Sequence, residues 1–193
     1  MMGRVGKLLV LVNGLPGAGK STVGQALAQV SGARFLSKDM VKEALATCVE
    51  DPAGLPDLGG IAMDAVWSLA RTIPTSVVID SWWFAPRDRE FARAGIEKVG
   101  ADRAVEVWCH VPAHVAKARY TQRCRADFFH DSERLTTQWD IWAEQATPLH
   151  LAPIVIVDTT APVDYPDLIE RIERATDDAH PQPASNPSLP QSH

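Results

Sequence analysis

The chain lacks any apolar run long enough to cross a bilayer, any internal repeat, and any cysteine pair at metal-binding spacing. Its three cysteines, Cys48, Cys109 and Cys124, are odd in number and far apart, which excludes a disulfide framework and suits reduced thiols. No apolar leader with a small-residue cleavage site follows Met1. These absences predict a cytoplasmic protein with no membrane partner. An excess of positive charge is missing too: 19 Lys and Arg stand against 24 Asp and Glu, for a net charge of -5. Such a surface does not attract a polyanion as a whole, so nucleic acid is disfavoured as a partner.

What is present suffices for one domain with a real core: 193 residues, 46% of them hydrophobic. We expect that domain to occupy residues 1–175. The remainder, 176–193, is rich in Pro, Ser, Gln and Asp and predicts a disordered tail. Apolar runs at 7–13, 34–37, 75–80, 104–110 and 153–158 predict strands. Helices are predicted at 21–30, 40–48, 61–72, about 86–99, about 112–125 and 165–175, with a further tryptophan-bearing helix before the last strand. Residues 50–60, with two prolines and three glycines, predict a loop. Strands alternating with helices imply an α/β fold, a parallel sheet covered on both faces.

Residues 14–21 read Gly-Leu-Pro-Gly-Ala-Gly-Lys-Ser, a match to G-x-x-x-x-G-K-[ST] without departure, and Thr22 follows. Strand, glycine loop and helix come in the order this motif needs. Along Gly14, Leu15, Pro16, Gly17, Ala18 and Gly19 the backbone can curl closely around phosphates with its N–H groups inward. The start of the helix, at Lys20, Ser21 and Thr22, adds its positive end. Lys20 would reach the outer phosphates and Ser21 would hold Mg²⁺ through its hydroxyl, so the motif predicts a bound nucleoside triphosphate.

In such sheets ligands lie beyond the C-terminal ends of the strands. Asp39, Asp80 and Asp158 fall there. Asp80 ends the run Val77-Val-Ile-Asp80, where a carboxylate helps to hold Mg²⁺ directly or through water. Asp39 follows the second strand and is the candidate base for an acceptor hydroxyl, with capping of the next helix as the alternative. Arg119 and Arg123, four apart, would share a helical face and, with Arg125 at the helix exit, form a cationic lid over the phosphates. Trp82 and Trp83 directly follow Asp80, so at least one should wall the acceptor site, and Arg87 could reach it. Trp139 and Trp142 suit the core or a lid hinge.

With the loop, Asp39, Asp80 and the arginine segment in this order, residues 7–175 resemble the small P-loop kinases of the AAA_33 type. These are related to chloramphenicol phosphotransferase, gluconate and shikimate kinases, and the kinase part of polynucleotide kinases. The resemblance implies a P-loop NTPase fold with a five-stranded parallel sheet of order 2-3-1-4-5, a helical lid, and ATP with Mg²⁺. It further implies transfer of the γ-phosphoryl group to a hydroxyl, with Asp39 as base and Arg119 and Arg123 as lid arginines. Val157-Asp-Thr-Thr160 is similar to the loop that approaches the adenine, which makes Thr159 a nucleotide contact. Relatives often carry an arginine shortly after the second-strand Asp, where this chain has Met40, Val41 and Lys42.

The expected acceptor is a small hydroxyl compound such as an antibiotic, a nucleoside or a sugar-like molecule. The alternatives are a polynucleotide 5′-hydroxyl and, as in toxin-like kinases, a nucleotide sugar. Between Lys38 and Ile73 the only basic residues are Lys38, Lys42 and Arg71, against Asp39, Glu43, Glu50, Asp51, Asp57 and Asp64. That balance predicts a neutral or cationic acceptor unless Arg87, Arg89 and Arg93 fold into the site. A GTP-dependent switch is disfavoured because no N-K-x-D guanine signature is present.

Overall fold

The structure, a computed structural model, describes residues 6–179. Its first strand, β1 (Leu8–Asn13), is buried along its whole length, as the apolar run requires of the centre of a parallel sheet. β1 pairs in parallel with β3 (Val77–Asp80) on one side and with β4 (Arg103–His110) on the other. β2 (Arg34–Ser37) adds outside β3, and β5 (Ile154–Asp158) outside β4. The sheet therefore has the order β2-β3-β1-β4-β5, all parallel, as the resemblance implied.

Alternation along the strands sends side chains to two cores. Leu8, Val10, Val12, Val78, Val105 and Val107 pack on one face beneath α1 (Lys20–Ser31) and α8 (Tyr165–Asp178). Leu9, Leu11, Val77 and Ile79 pack on the other beneath α3 (Leu58–Thr72) and α4 (Ala85–Val99). The remaining helices are α2 (Lys38–Ala46), α5 (Ala113–Thr121), α6 (Asp131–Thr137) and α7 (Trp139–Gln145). A 3-10 turn, Asp127–Phe129, separates α5 from α6.

Three boundaries differ from expectation. α3 begins at Leu58, taking Gly59 and Gly60 into a first turn that looked like loop. α5 stops at Thr121, where the amides of Gln122 and Arg123 turn back to the carbonyls of Ala118 and Tyr120. α8 runs to Asp178, past the boundary set at 175. Thr176 is buried there and accepts a hydrogen bond from Arg103 on β4, and Asp177 pairs with the same guanidinium. Thr and Asp look tail-like by composition, but their partner lies more than seventy residues earlier. The rest of the expected tail, from 180, lies outside the described residues. No described helix is long and apolar enough to cross a membrane.

A buried polar node joins the loops at the top of the sheet. Glu106 is wholly buried and accepts from the Leu149 and His150 amides and from Asn13 Nδ2. Asn13 Oδ1 accepts in turn from the amides of Gly14 and Trp83. Removing the carboxylate orphans several buried donors, each costing about 1–3 kcal/mol. Glu106→Ala is therefore expected to lose roughly 3 kcal/mol or more and to melt about 10 °C lower. An unchanged melting temperature would show that water replaces the carboxylate at no cost.

Candidate active site

The glycine loop leaves β1 at Gly14 and enters α1 at Lys20, passing close under its neighbours. A Cβ at Gly14 would strike the Cys109 carbonyl, and one at Gly17 the carbonyl of Ala116. Both residues hold positive φ, 141° and 87°, so only glycine meets the space and the backbone demand together. Gly19, also left-handed, precedes α1 and leaves its first amides without a side-chain cap. Free N–H groups at a helix N-terminus favour an anion. Ala18 is buried beneath the loop and bonds its amide to the Leu15 carbonyl; Pro16 faces the cavity, and Thr22 is exposed.

Lys20 lies inside this cradle. Its ammonium donates to the carbonyls of Gly14 and Leu15, each at 2.9 Å, and stands 5.9 Å from the Trp82 ring. Burial pushes its pKa down to about 8, against the opposing pull of Asp80, and the charge of Arg123 adds to the lowering. Asp80 is itself buried at the end of β3, in register with Val12 on β1 and Ser37 on β2. Burial raises its pKa, while Lys20 and hydrogen bonds from Ser21 and Ser37 work against the rise. A buried carboxylate beside a serine hydroxyl, at the mouth of a phosphate cradle, is the hard-oxygen donor set that Mg²⁺ takes. Among the described residues no cluster of three or more His, Cys, Asp or Glu could hold a metal. Mg²⁺ at such sites needs only one or two protein oxygens besides phosphate.

Asp39 occupies the first turn of α2, after Ser37 at the cap, so it does not cap the helix. Its Oδ2 accepts from Arg125 Nη1 at 2.6 Å, and its Oδ1 has no hydrogen-bond partner among the described residues. The other side of the Arg125 guanidinium grips Asp131, at 2.6 and 2.7 Å, with the Tyr120 hydroxyl on the same carboxylate. The Phe129 ring lies 4.0 Å below the guanidinium. Arg125 was grouped with the lid arginines by proximity in sequence. Its role as the clamp of Asp39 had no local signal, since the two residues are 86 apart in sequence.

The other two arginines separate. Arg119 remains on α5 and donates to the Thr159 carbonyl, while Thr159 Oγ1 donates to the carbonyls of Ala18 and His110. Arg123 lies beyond the helix end and lines the cavity. They do not share a helical face, contrary to expectation, because α5 ends between them. Asp158 is exposed and holds the Thr160 amide and hydroxyl in a turn.

In front of Lys20, Ser21, Asp39 and Asp80 opens one cavity of about 640 Å³. Trp82 forms part of its wall, braced by Phe84 and Trp142, each with ring centroids 5.9 Å away. Trp83 is the ring of the pair that packs in the core. It is only 2% exposed and stacks on Trp67, so it backs the wall as core. Arg87 reaches the cavity with its charge matched by Asp88 at 2.6 Å. Trp139 and Trp142 are buried, the former stacked on Tyr120. Cations absent from the expected site, Lys38, Lys42 and Arg134, also line the cavity.

Comparison with known proteins agrees with this architecture. No curated protein matches the chain. Among solved structures, a presumed kinase from Chloroflexus aurantiacus J-10-fl is 24% identical with a TM-score of 0.69, over 87% of this chain and 94% of that one. A gluconokinase from Sinorhizobium meliloti 1021 is 20% identical with a TM-score of 0.59, over 92% and 98%. Shikimate kinase from Acinetobacter baumannii, solved with shikimate, is 19% identical with a TM-score of 0.53, over 90% and 95%. These likenesses show a fold shared with small P-loop kinases. The AAA domain model AAA_33 matches residues 9–149, from β1 through the loop that Glu106 holds, and the chain belongs to that family.

Proposed function

We propose that the protein is an ATP-dependent phosphotransferase that moves the γ-phosphoryl group of ATP to a hydroxyl of a small molecule. The observation that carries this reading is the convergence of Lys20, Ser21 and Asp80 with the open oxygen of Asp39 on one cavity. Bound Mg²⁺ would supply positive charge to the phosphate oxygens, with Ser21 and Asp80 as its protein ligands. The loop amides and Lys20 hold the outer phosphates, and Arg123 adds charge where it develops on the transferred group. Asp39 Oδ1 accepts the acceptor's hydroxyl proton as that oxygen bonds to the terminal phosphorus and the bond to ADP breaks. Arg119 and Thr159 brace the loop after β5, the side assigned to the base of the nucleotide.

The test is ADP release from ATP and Mg²⁺ across aminoglycosides, nucleosides, phenicols, sugars and a 5′-hydroxyl oligonucleotide, with product mass checked for one added phosphoryl group. Transfer to a small molecule establishes the reading, whereas transfer to the oligonucleotide alone replaces it.

Arg125 is a positioning residue in this scheme, since it acts through Asp39. Arg125→Ala is expected to lower kcat about tenfold or more while KM for ATP holds, because a near-attack geometry is lost and the cradle is not. Arg125→Lys should recover only part of it, as an ammonium cannot serve two carboxylates with a planar fork. A parallel rise in KM for ATP would instead place Arg125 in the nucleotide site.

A further inference from the structure

Charges around the cavity cancel in an uneven way. Arg125 is matched by Asp39 and Asp131, Arg87 by Asp88, and Lys20 lies beside Asp80. Three cations on the α2 and α6 side are left over. Neither the Lys38 ammonium nor the Arg134 guanidinium has a hydrogen-bond or ion-pair partner within reach among the described residues, and both line the cavity. Lys42 is buried and fixed, donating to the Phe128 carbonyl at 2.8 Å with the Phe129 ring 4.6 Å from its nitrogen. The carboxylates left unmatched in the lining, Asp57 and Asp64, are exposed.

Close, desolvated like charges are costly unless something answers them. Burial lowers the pKa of Lys38, and it lowers that of Lys42 to about 8, helped by the charges of Arg134 and Lys38. Three further polar atoms of lining residues are orphaned: the Trp82 and Trp83 indole N–H groups and the Ser81 hydroxyl are buried without a partner. A ligand rich in acceptor oxygens answers the Lys38 and Arg134 charges.

We infer that the acceptor carries an anionic group, a carboxylate or a phosphate monoester, bound by Lys38 and Arg134 in the field of Lys42 while its hydroxyl faces Asp39. This rests on the proposed phosphotransfer for the hydroxyl, and it reverses the neutral or cationic acceptor expected from the sequence. That expectation counted charge along residues 38–73. The cavity instead takes Arg134 from α6, and the exposed side chains of Glu43, Glu50 and Asp51 are not in its lining.

Calorimetry on protein saturated with Mg²⁺ and a non-hydrolysable ATP analogue, which fills the terminal-phosphate position, tests the inference with glucose, glucuronate, glucose 6-phosphate and inorganic phosphate. At pH 7 inorganic phosphate binds, and at least one charged ring binds about tenfold or more tighter than glucose. The tighter of the two charged rings separates carboxylate from phosphate. Lys38→Ala with Arg134→Ala removes that preference without changing affinity for the ATP analogue, and Arg134→Lys keeps most of it. Between pH 7 and 9 the preference falls, because Lys42, faced by Lys38 and Asp39 on α2, Arg134 on α6 and Arg125, gives up its proton near 8. Equal affinity for the three rings, absence of any anion binding, or a preference that survives the double variant would overturn the inference. Anion binding without transfer to any hydroxyl leaves it standing and removes the proposed function. Transfer to a hydroxyl with no preference for the charged rings over glucose does the reverse.

Discussion

Lys20→Ala is expected to lower phosphoryl transfer by about 10³ or more, the largest effect of any single substitution in the chain. The reason is geometric as much as electrostatic. The ammonium is the only lysine or arginine nitrogen bonded inside the glycine loop among the described residues, held by two loop carbonyls at the point where outer phosphates would lie. Its pKa of about 8 leaves it charged at pH 7, but the lowering shows that burial of that charge costs the free protein something. Removing it should therefore leave the ligand-free melting temperature unchanged or slightly raised. A large loss of turnover at constant melting temperature separates a chemical role from a structural one. Near-normal ADP release in Lys20→Ala would mean that the nucleotide is held elsewhere.

Asp39→Asn is expected to reduce kcat by about 10² or more with ATP affinity retained. Asparagine keeps the shape and can still accept from Arg125 through its amide oxygen, so the clamp with Asp131 and Tyr120 persists. What is lost is the oxygen able to take a proton. Single-turnover measurement with saturating ATP and a hit from the acceptor panel isolates that step. If the rate does not change, Asp39 serves only as an acidic residue in the first turn of α2, where it complements the helix dipole, and the base lies elsewhere.

Much of this arrangement is legible in the sequence because its causes are local. The run at 7–13, the glycines of the loop and Lys20 with Ser21 are neighbours in the chain, so pattern and geometry coincide. Asp80 at the end of an apolar run is local in the same sense, and the sheet then places it beside Ser21. The acceptor side is different. Arg125 meets Asp39, Lys42 meets Phe128, and Arg134 joins Lys38 across segments that no spacing rule connects. Trp82 and Trp83 are adjacent, yet Trp82 packs edge-on against Trp142 in the cavity wall while Trp83 stacks on Trp67 in the core, partners that lie far off in sequence. Thr176 shows the same limit at the last helix, where Arg103 decides its burial.

Asn13 uses a single carbonyl oxygen to receive the amide that opens the glycine loop and the amide that follows the β3 carboxylate. The two halves of the cavity floor are thus pinned to one atom, and Glu106 anchors that pin to the strand beneath. Neither half can shift without the other. The spacing between the glycine loop and the β3 carboxylate is therefore set by the fold before any ligand arrives.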